Sequence, residues 1–193
     1  MNKYKDIKDE FEMHSKMSVP FNEKAFSVGN YVLRYNAREL ESDDYINVST
    51  HKILVDGCNI PLYVFSPKNI ECSKVLLYIH GGGFAYKGYF KHYRLCRRYA
   101  LEAKCKVVYV DYRLLPKYKF PCAVHDCYEA YKWIIDNSEM LDIDKNKIIL
   151  VDDVNNVLNI CRDESSGKIY TMVCFDMTSK IKELIAGDNN ENN

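Results

Sequence analysis

Val75-Leu76-Leu77-Tyr78-Ile79-His80-Gly81-Gly82-Gly83-Phe84 is the stretch that decides how this chain folds. Five consecutive apolar or aromatic residues are the pattern of a strand buried on both faces of a parallel sheet. The run spills directly into His-Gly-Gly-Gly, a loop almost without side chains. A backbone free of Cβ atoms can turn its N–H groups toward an incoming oxyanion and stay close to it. Downstream, Lys106-Val107-Val108-Tyr109-Val110-Asp111 and Lys147-Ile148-Ile149-Leu150-Val151 read as two more buried strands. Between the three strands, Tyr93 to Ala103 and Ala123 to Ile135 have helical spacing. The second places Val124, Cys127, Tyr128, Tyr131, Ile134 and Ile135 on one face, with Pro121 just ahead of it. Strand, helix, strand, helix, strand predicts an α/β fold with a mostly parallel sheet and flanking helices.

Upstream, His51–Val55 and Ile60–Phe65 flank Asp56-Gly57-Cys58-Asn59, which predicts an antiparallel hairpin closed by Ser66-Pro67-Lys68-Asn69. Residues 1–45 mix charge with spaced apolar groups and read as one or two short amphipathic helices broken at Pro20. The core is predicted over 46–156. After Val151 the character changes: Val157–Cys161 and Ile169–Phe175 flank Glu164-Ser165-Ser166-Gly167-Lys168, a hairpin pattern. That hairpin and a short helix over Lys180–Ile185 make up 157–186, and the polar run 187–193 reads as a disordered tail.

The 193 residues suit one domain with a full core. Lys+Arg and Asp+Glu both total 27, so the basic excess of a nucleic-acid binder is missing. No apolar run approaches the roughly 18 residues of a membrane span. The start, Met1-Asn2-Lys3-Tyr4-Lys5-Asp6, is polar and unlike a secretory signal. The eight cysteines (Cys58, Cys72, Cys96, Cys105, Cys122, Cys127, Cys161, Cys174) are scattered, with no C-x-x-C pair and no zinc spacing. Reduced thiols in a cytoplasmic protein, with no metal and no cofactor, are therefore expected.

Three ordered blocks carry a family resemblance: His80-Gly81-Gly82-Gly83-Phe84, the run VDYRLLPKYKFP over Val110–Pro121, and AVHDCYEAYKWI over Ala123–Ile134. From Val75 to Val151 the chain resembles the hormone-sensitive-lipase branch of the α/β hydrolases, whose His-Gly-Gly-Gly run is an oxyanion-hole loop. Asp111-Tyr112-Arg113-Leu114, Pro116, Phe120-Pro121, Ala123-Val124, Asp126 and Trp133 match the family form. The resemblance implies hydrolysis of a carboxylic ester by a serine nucleophile backed by an acid and a histidine. It also implies that residues 1–45 form part of a cap over the site.

The same resemblance sets a mismatch. The family strand equivalent to Lys147–Val151 enters Gly-Asp-Ser-Ala-Gly-Gly; here it enters Asp152-Asp153-Val154-Asn155-Asn156-Val157. Register along the strand puts Val154 at the serine position and Asp152 and Asn156 at the elbow glycines. Valine has no nucleophilic atom, and a β-branched residue suits a strained elbow poorly. No histidine follows His125, so no triad base can be placed.

Each remaining candidate carries two readings. His80, Gly81, Gly82 and Gly83 either present N–H groups to an oxyanion or are an inherited strand-to-loop turn. Asp111, Tyr112 and Arg113 read as structural, with an Arg–Asp pair and a packed Tyr organising the loop after the strand. His125 reads as a helix-surface histidine, Ser165 and Ser166 as turn residues, and the cysteines as packing. Tyr86, Tyr89, Tyr93 and Tyr99 either line an acyl pocket or pack the core. The sequence thus predicts a truncated or rearranged relative of esterases that keeps the oxyanion loop and is inactive alone. A non-catalytic protein binding a small ester or carboxylate is the alternative, and an esterase completed by a second chain is a third. The strand Lys147–Val151 is expected to offer an open sheet edge; either the Val157–Cys161 and Ile169–Phe175 hairpin folds back to pair with it, or the chain self-associates through it.

Overall fold

The computed structural model describes residues 23–33, 37–152, 160–162 and 169–171. Helix α1 (Glu23–Leu33) and a 3-10 turn (Ala37–Leu40) precede the hairpin β1 (Ile46–Val55) and β2 (Cys58–Pro67). Then come β3 (Val75–Ile79), α2 (Phe90–Glu102), β4 (Lys106–Val110), α3 (Cys122–Asp136) and β5 (Ile148–Asp152). The first five strands form one sheet in the order β1-β2-β4-β3-β5. Strands β4, β3 and β5 are mutually parallel, and β1–β2 and β2–β4 are antiparallel, so the sheet is mixed rather than parallel throughout.

The hairpin closes on Asp56 and Gly57 with φ of 48° and 72°, the double positive φ that matches the right-handed twist of its strands. Gly57 takes this conformation without strain, and a two-residue turn fixes the pairing of Val55 with Cys58. All five residues of β3 are buried, as are Val107 to Val110 on β4, because helices cover both faces. On one face Val75, Leu77, Ile79, Val108 and Val110 pack beneath Val124, Cys127, Ala130 and Ile134 of α3. On the other, Leu76, Tyr78, Val107 and Tyr109 pack beneath Cys96 and Ala100 of α2.

Strand β5 departs from its expected burial. Among the described residues it lies at the end of the sheet and pairs only with β3. Its side chains from Ile148 to Val151 are half-buried or, at Ile149, exposed, because α3 shields only part of the edge. The hairpin expected beyond it is present as β6 (Ile160–Arg162) against β7 (Ile169–Thr171), antiparallel, in a sheet of its own. The segments before residue 23 and after 171, with the short helix and tail read there, lie outside the described residues.

The chain leaves β3 for α2 on one face, and leaves β4 for α3 on the other, before returning to β5 on the far side of β3. Connections that diverge in this way open a crevice at the carboxyl ends of the strands, where open α/β sheets bind ligands. Ile79 stands between Val110 and Asp152 in register, so β3 and β5 end side by side at that edge.

Candidate functional site

The glycine loop begins where β3 ends. His80 is completely buried, its ring lying between Tyr112 (centroids 4.2 Å apart, planes 8° apart) and Tyr109 (5.3 Å, 6°). Its Nδ1 is 2.7 Å from the Gly81 carbonyl oxygen. A carbonyl only accepts, so Nδ1 carries the proton and Nε2 is a bare acceptor, with no partner among the described residues. Burial, helped by the neighbouring charges of His92 and Lys87, pushes the imidazole down to about 3, against the opposing pull of the Gly81 carbonyl. His80 is therefore a neutral brace. The Tyr112 hydroxyl donates to the His80 carbonyl at 2.6 Å and holds the strand end from below.

From here the backbone enters a conformation that favours glycine. Gly82 has φ +131° and Gly83 φ +60°, and Phe84 follows at 58°. A methyl on Gly82 would lie 2.5 Å from the Tyr86 carbonyl oxygen, so this position excludes any side chain for two reasons. The Gly82 carbonyl accepts from the N–H groups of Ala85 (3.1 Å) and Tyr86 (2.9 Å), and the Phe84 carbonyl accepts from Leu115 N–H at 2.7 Å. The N–H groups of Gly82 and Gly83 have no acceptor among the described residues, and both glycines are partly open to solvent. Two unspent donors one residue apart, in a loop pinned by its carbonyls, suit a negatively charged or strongly polarised oxygen.

The residues flanking the loop have sharper roles than their sequence gave them. The Arg–Asp pair exists, but its acid is Asp126 of α3 and not Asp111. Asp126 is fully buried, accepts from Arg113 Nη2 at 2.7 Å and Nε at 2.9 Å, and also accepts from the Arg113 backbone N–H at 2.8 Å. Arg113 reaches Asp56 in the hairpin turn at 2.9 Å as well. One guanidinium thus ties the loop after β4 to α3 and to the β1–β2 turn. Asp111 instead pairs with Lys87 at 3.2 Å. Asn30 of α1 was not legible as a site residue, yet its Nδ2 donates to the Ala85 carbonyl (2.9 Å) and its Oδ1 accepts from Lys87 N–H (2.7 Å). A contact spanning 55 residues has no local sequence signal.

His125 is exposed on α3, as a helix-surface histidine should be. Cys58, Cys72, Cys96, Cys105, Cys122 and Cys127 form no disulfide, and four of them are buried. Tyr93 and Tyr99 pack against the core beside Tyr109 and Tyr78, and Tyr86 meets the buried Phe26 of α1 edge-on at 5.4 Å, which decides these three for packing. Tyr89 contacts His92 at the start of α2. A serine–histidine contact does occur, Ser49 Oγ to His51 Nε2 at 3.1 Å, but on β1, three strands from β3, with no carboxylate on the other ring nitrogen among the described residues. Val154, Asn156, Ser165 and Ser166 lie outside the described residues, and Asp152 is described as backbone only. Among the described residues no cluster of three or more His, Cys, Asp or Glu could hold a metal, and no helix is long and apolar enough to cross a membrane.

This geometry has relatives. Residues 76–153 match the model of a family described as having the alpha/beta hydrolase fold. An arylesterase of Saccharolobus solfataricus is 33% identical over 112 residues, covering 58% of this chain and 37% of that protein. An ethyl acetate hydrolase of Pseudomonas putida is 34% identical over 101 residues, covering 51% and 32%. Among solved structures, a hyperthermophilic esterase from Pyrobaculum calidifontis superimposes with a TM-score of 0.56 at 34% identity, over 72% of this chain and 43% of that one. The chain thus spans only about a third of the length of these curated relatives. The part matched by the family model runs from the strand before the glycines to the end of β5, and over it the chain has the α/β-hydrolase fold and is similar to esterases of the hormone-sensitive-lipase-like branch.

Proposed function

We propose that this chain descends from carboxylic-ester hydrolases, keeps their oxyanion-binding loop at His80, Gly81, Gly82 and Gly83, and hydrolyses no ester by itself. One observation carries this reading. Gly82 and Gly83 hold N–H donors with no acceptor among the described residues at the carboxyl edge of the sheet, and the neighbouring strand β5 is followed in sequence by Asp153-Val154-Asn155-Asn156. An oxyanion hole stabilises charge that a nucleophile has first created, so without one it supplies little rate. A rearrangement of the sequence after Val151 accounts for an abrupt change beyond a family-like stretch; a second chain supplying further strands and a nucleophile would make the site active instead.

A binding role is the second reading, and the two free donors favour it: they match the oxygen of a small ester or a carboxylate. The open edge of β5 supports self-association of the chain, and the lack of any disulfide among the described cysteines supports a reducing, cytoplasmic setting. Neither reading involves nucleic acid, a cofactor or a metal. Turnover tests the first. The purified chain is expected to release p-nitrophenol from p-nitrophenyl butyrate no faster than a heat-denatured control, and a saturable rate or a burst above it overturns the proposal.

A further inference from the structure

We propose that Asn30 is the positioning residue of the glycine loop: its carboxamide, presented by α1, fixes the backbone that directs the Gly82 and Gly83 N–H groups outward. The inference deepens the oxyanion-loop reading and rests on it for its functional meaning, though not for its geometry. Between Gly82 and Gly88 the loop has few bonds of its own. Ala85 and Tyr86 N–H close back onto the Gly82 carbonyl, and Leu115 N–H holds the Phe84 carbonyl. The Ala85 carbonyl and the Lys87 N–H have no backbone partner among the described residues, and Asn30 satisfies both, one as donor at 2.9 Å and the other as acceptor at 2.7 Å. A single planar amide bonding residues two apart does what a neighbouring strand would do.

The helix is shaped for this approach. Gly29 lies against Tyr86, where a Cβ would come within 2.7 Å of the ring, and Phe26 is buried edge-on to the same ring. Beyond Asn30 the link continues: Lys87 pairs through its ammonium with Asp111, whose own N–H donates to the Pro61 carbonyl on β2. The loop is therefore held between α1 and the sheet. An eleven-residue helix is marginal in isolation, so α1 owes its order to this docking. Two elements that hold each other open together, and whatever binds one stabilises the other.

Hydrogen exchange of the full chain tests this, with the bonded amides of Ala85, Tyr86 and Lys87 followed against those of β3 and β4. Asn30→Ala is expected to speed exchange in the loop about tenfold or more, leaving β3, β4 and the thermal midpoint nearly unchanged. Asn30→Asp keeps the acceptor for Lys87 N–H, loses the donor to Ala85, and should fall between. A uniform rise across loop and strands would make Asn30 merely a stabilising residue and overturn the proposal, as would no change. If the Ala variant does not fold, the wild type decides: amides of α1 and of the loop should share one opening free energy, and unequal protection overturns the link. Titration with sodium butyrate is a separate arm. Binding by the wild type should weaken in Asn30→Ala, and unaltered affinity counts against Asn30. No binding by the wild type speaks only against the ligand reading and leaves the exchange result to judge Asn30.

Discussion

His80 shows how one residue can be fixed chemically by its surroundings. Stacked between two tyrosines, with its ring hydrogen-bonded among the described residues only through Nδ1, it stays neutral where an ordinary imidazole would charge. Its ordinary value of 6.5 falls to about 3 in the folded protein through burial. Between those values the unfolded chain binds a proton that the folded chain refuses, so stability rises with pH across the window. Its contribution is full above the ordinary value and drains as pH falls toward the folded one. The slope from this one group approaches about 1.4 kcal/mol per pH unit. Urea unfolding from pH 7 to pH 4 should therefore show a steeper loss for the wild type than for His80→Asn, by close to one proton's worth. Equal slopes in the two proteins would mean that His80 is protonated in the fold and that the neutral-brace account is wrong.

At the scale of elements, β5 is where burial and sequence part company. Its apolar run reads as a strand covered on both faces, yet it is an edge, with Ile149 49% exposed and no bulge or proline to blunt it. If the chain self-associates through this edge, Ile149→Lys should shift sedimentation toward monomer, at a stability cost within about 0.5 kcal/mol because the site is half open. A wild type that is monomeric at every concentration, or a variant that sediments identically, removes the self-association proposal. The strands, both helices of the core and the hairpin turn are legible because hydrophobic period and an Asp-Gly pair are local signals. Strand order is not local, so the sequence places β5 after α3 without saying that nothing described pairs with its far side. The partner of Arg113 was misplaced for the same reason. Asp111 is adjacent in sequence, but one helix brings Asp126 beneath the guanidinium.

Across the whole molecule, two helical layers on opposite faces of one sheet bring the glycine loop and the end of β5 to the same edge. The glycine loop was legible because only a near-side-chain-free loop after a buried strand reads that way, and its positive-φ glycines bear out the backbone demand. Asn30 and Lys87 were not legible, since their roles follow from how α1 and the loop meet in space. The relatives named above are esterases and a hydrolase of ethyl acetate, whereas the register proposed from the sequence puts Val154 at the serine position. The central claim is thus a loop prepared for an oxyanion with no nucleophile to generate one. Intact-mass analysis after incubation with a fluorophosphonate probe tests it most directly, since such probes capture an activated serine covalently. The account predicts a mass unchanged from the untreated chain; stoichiometric addition of one phosphonyl group, lost on heat denaturation before labelling, would contradict it.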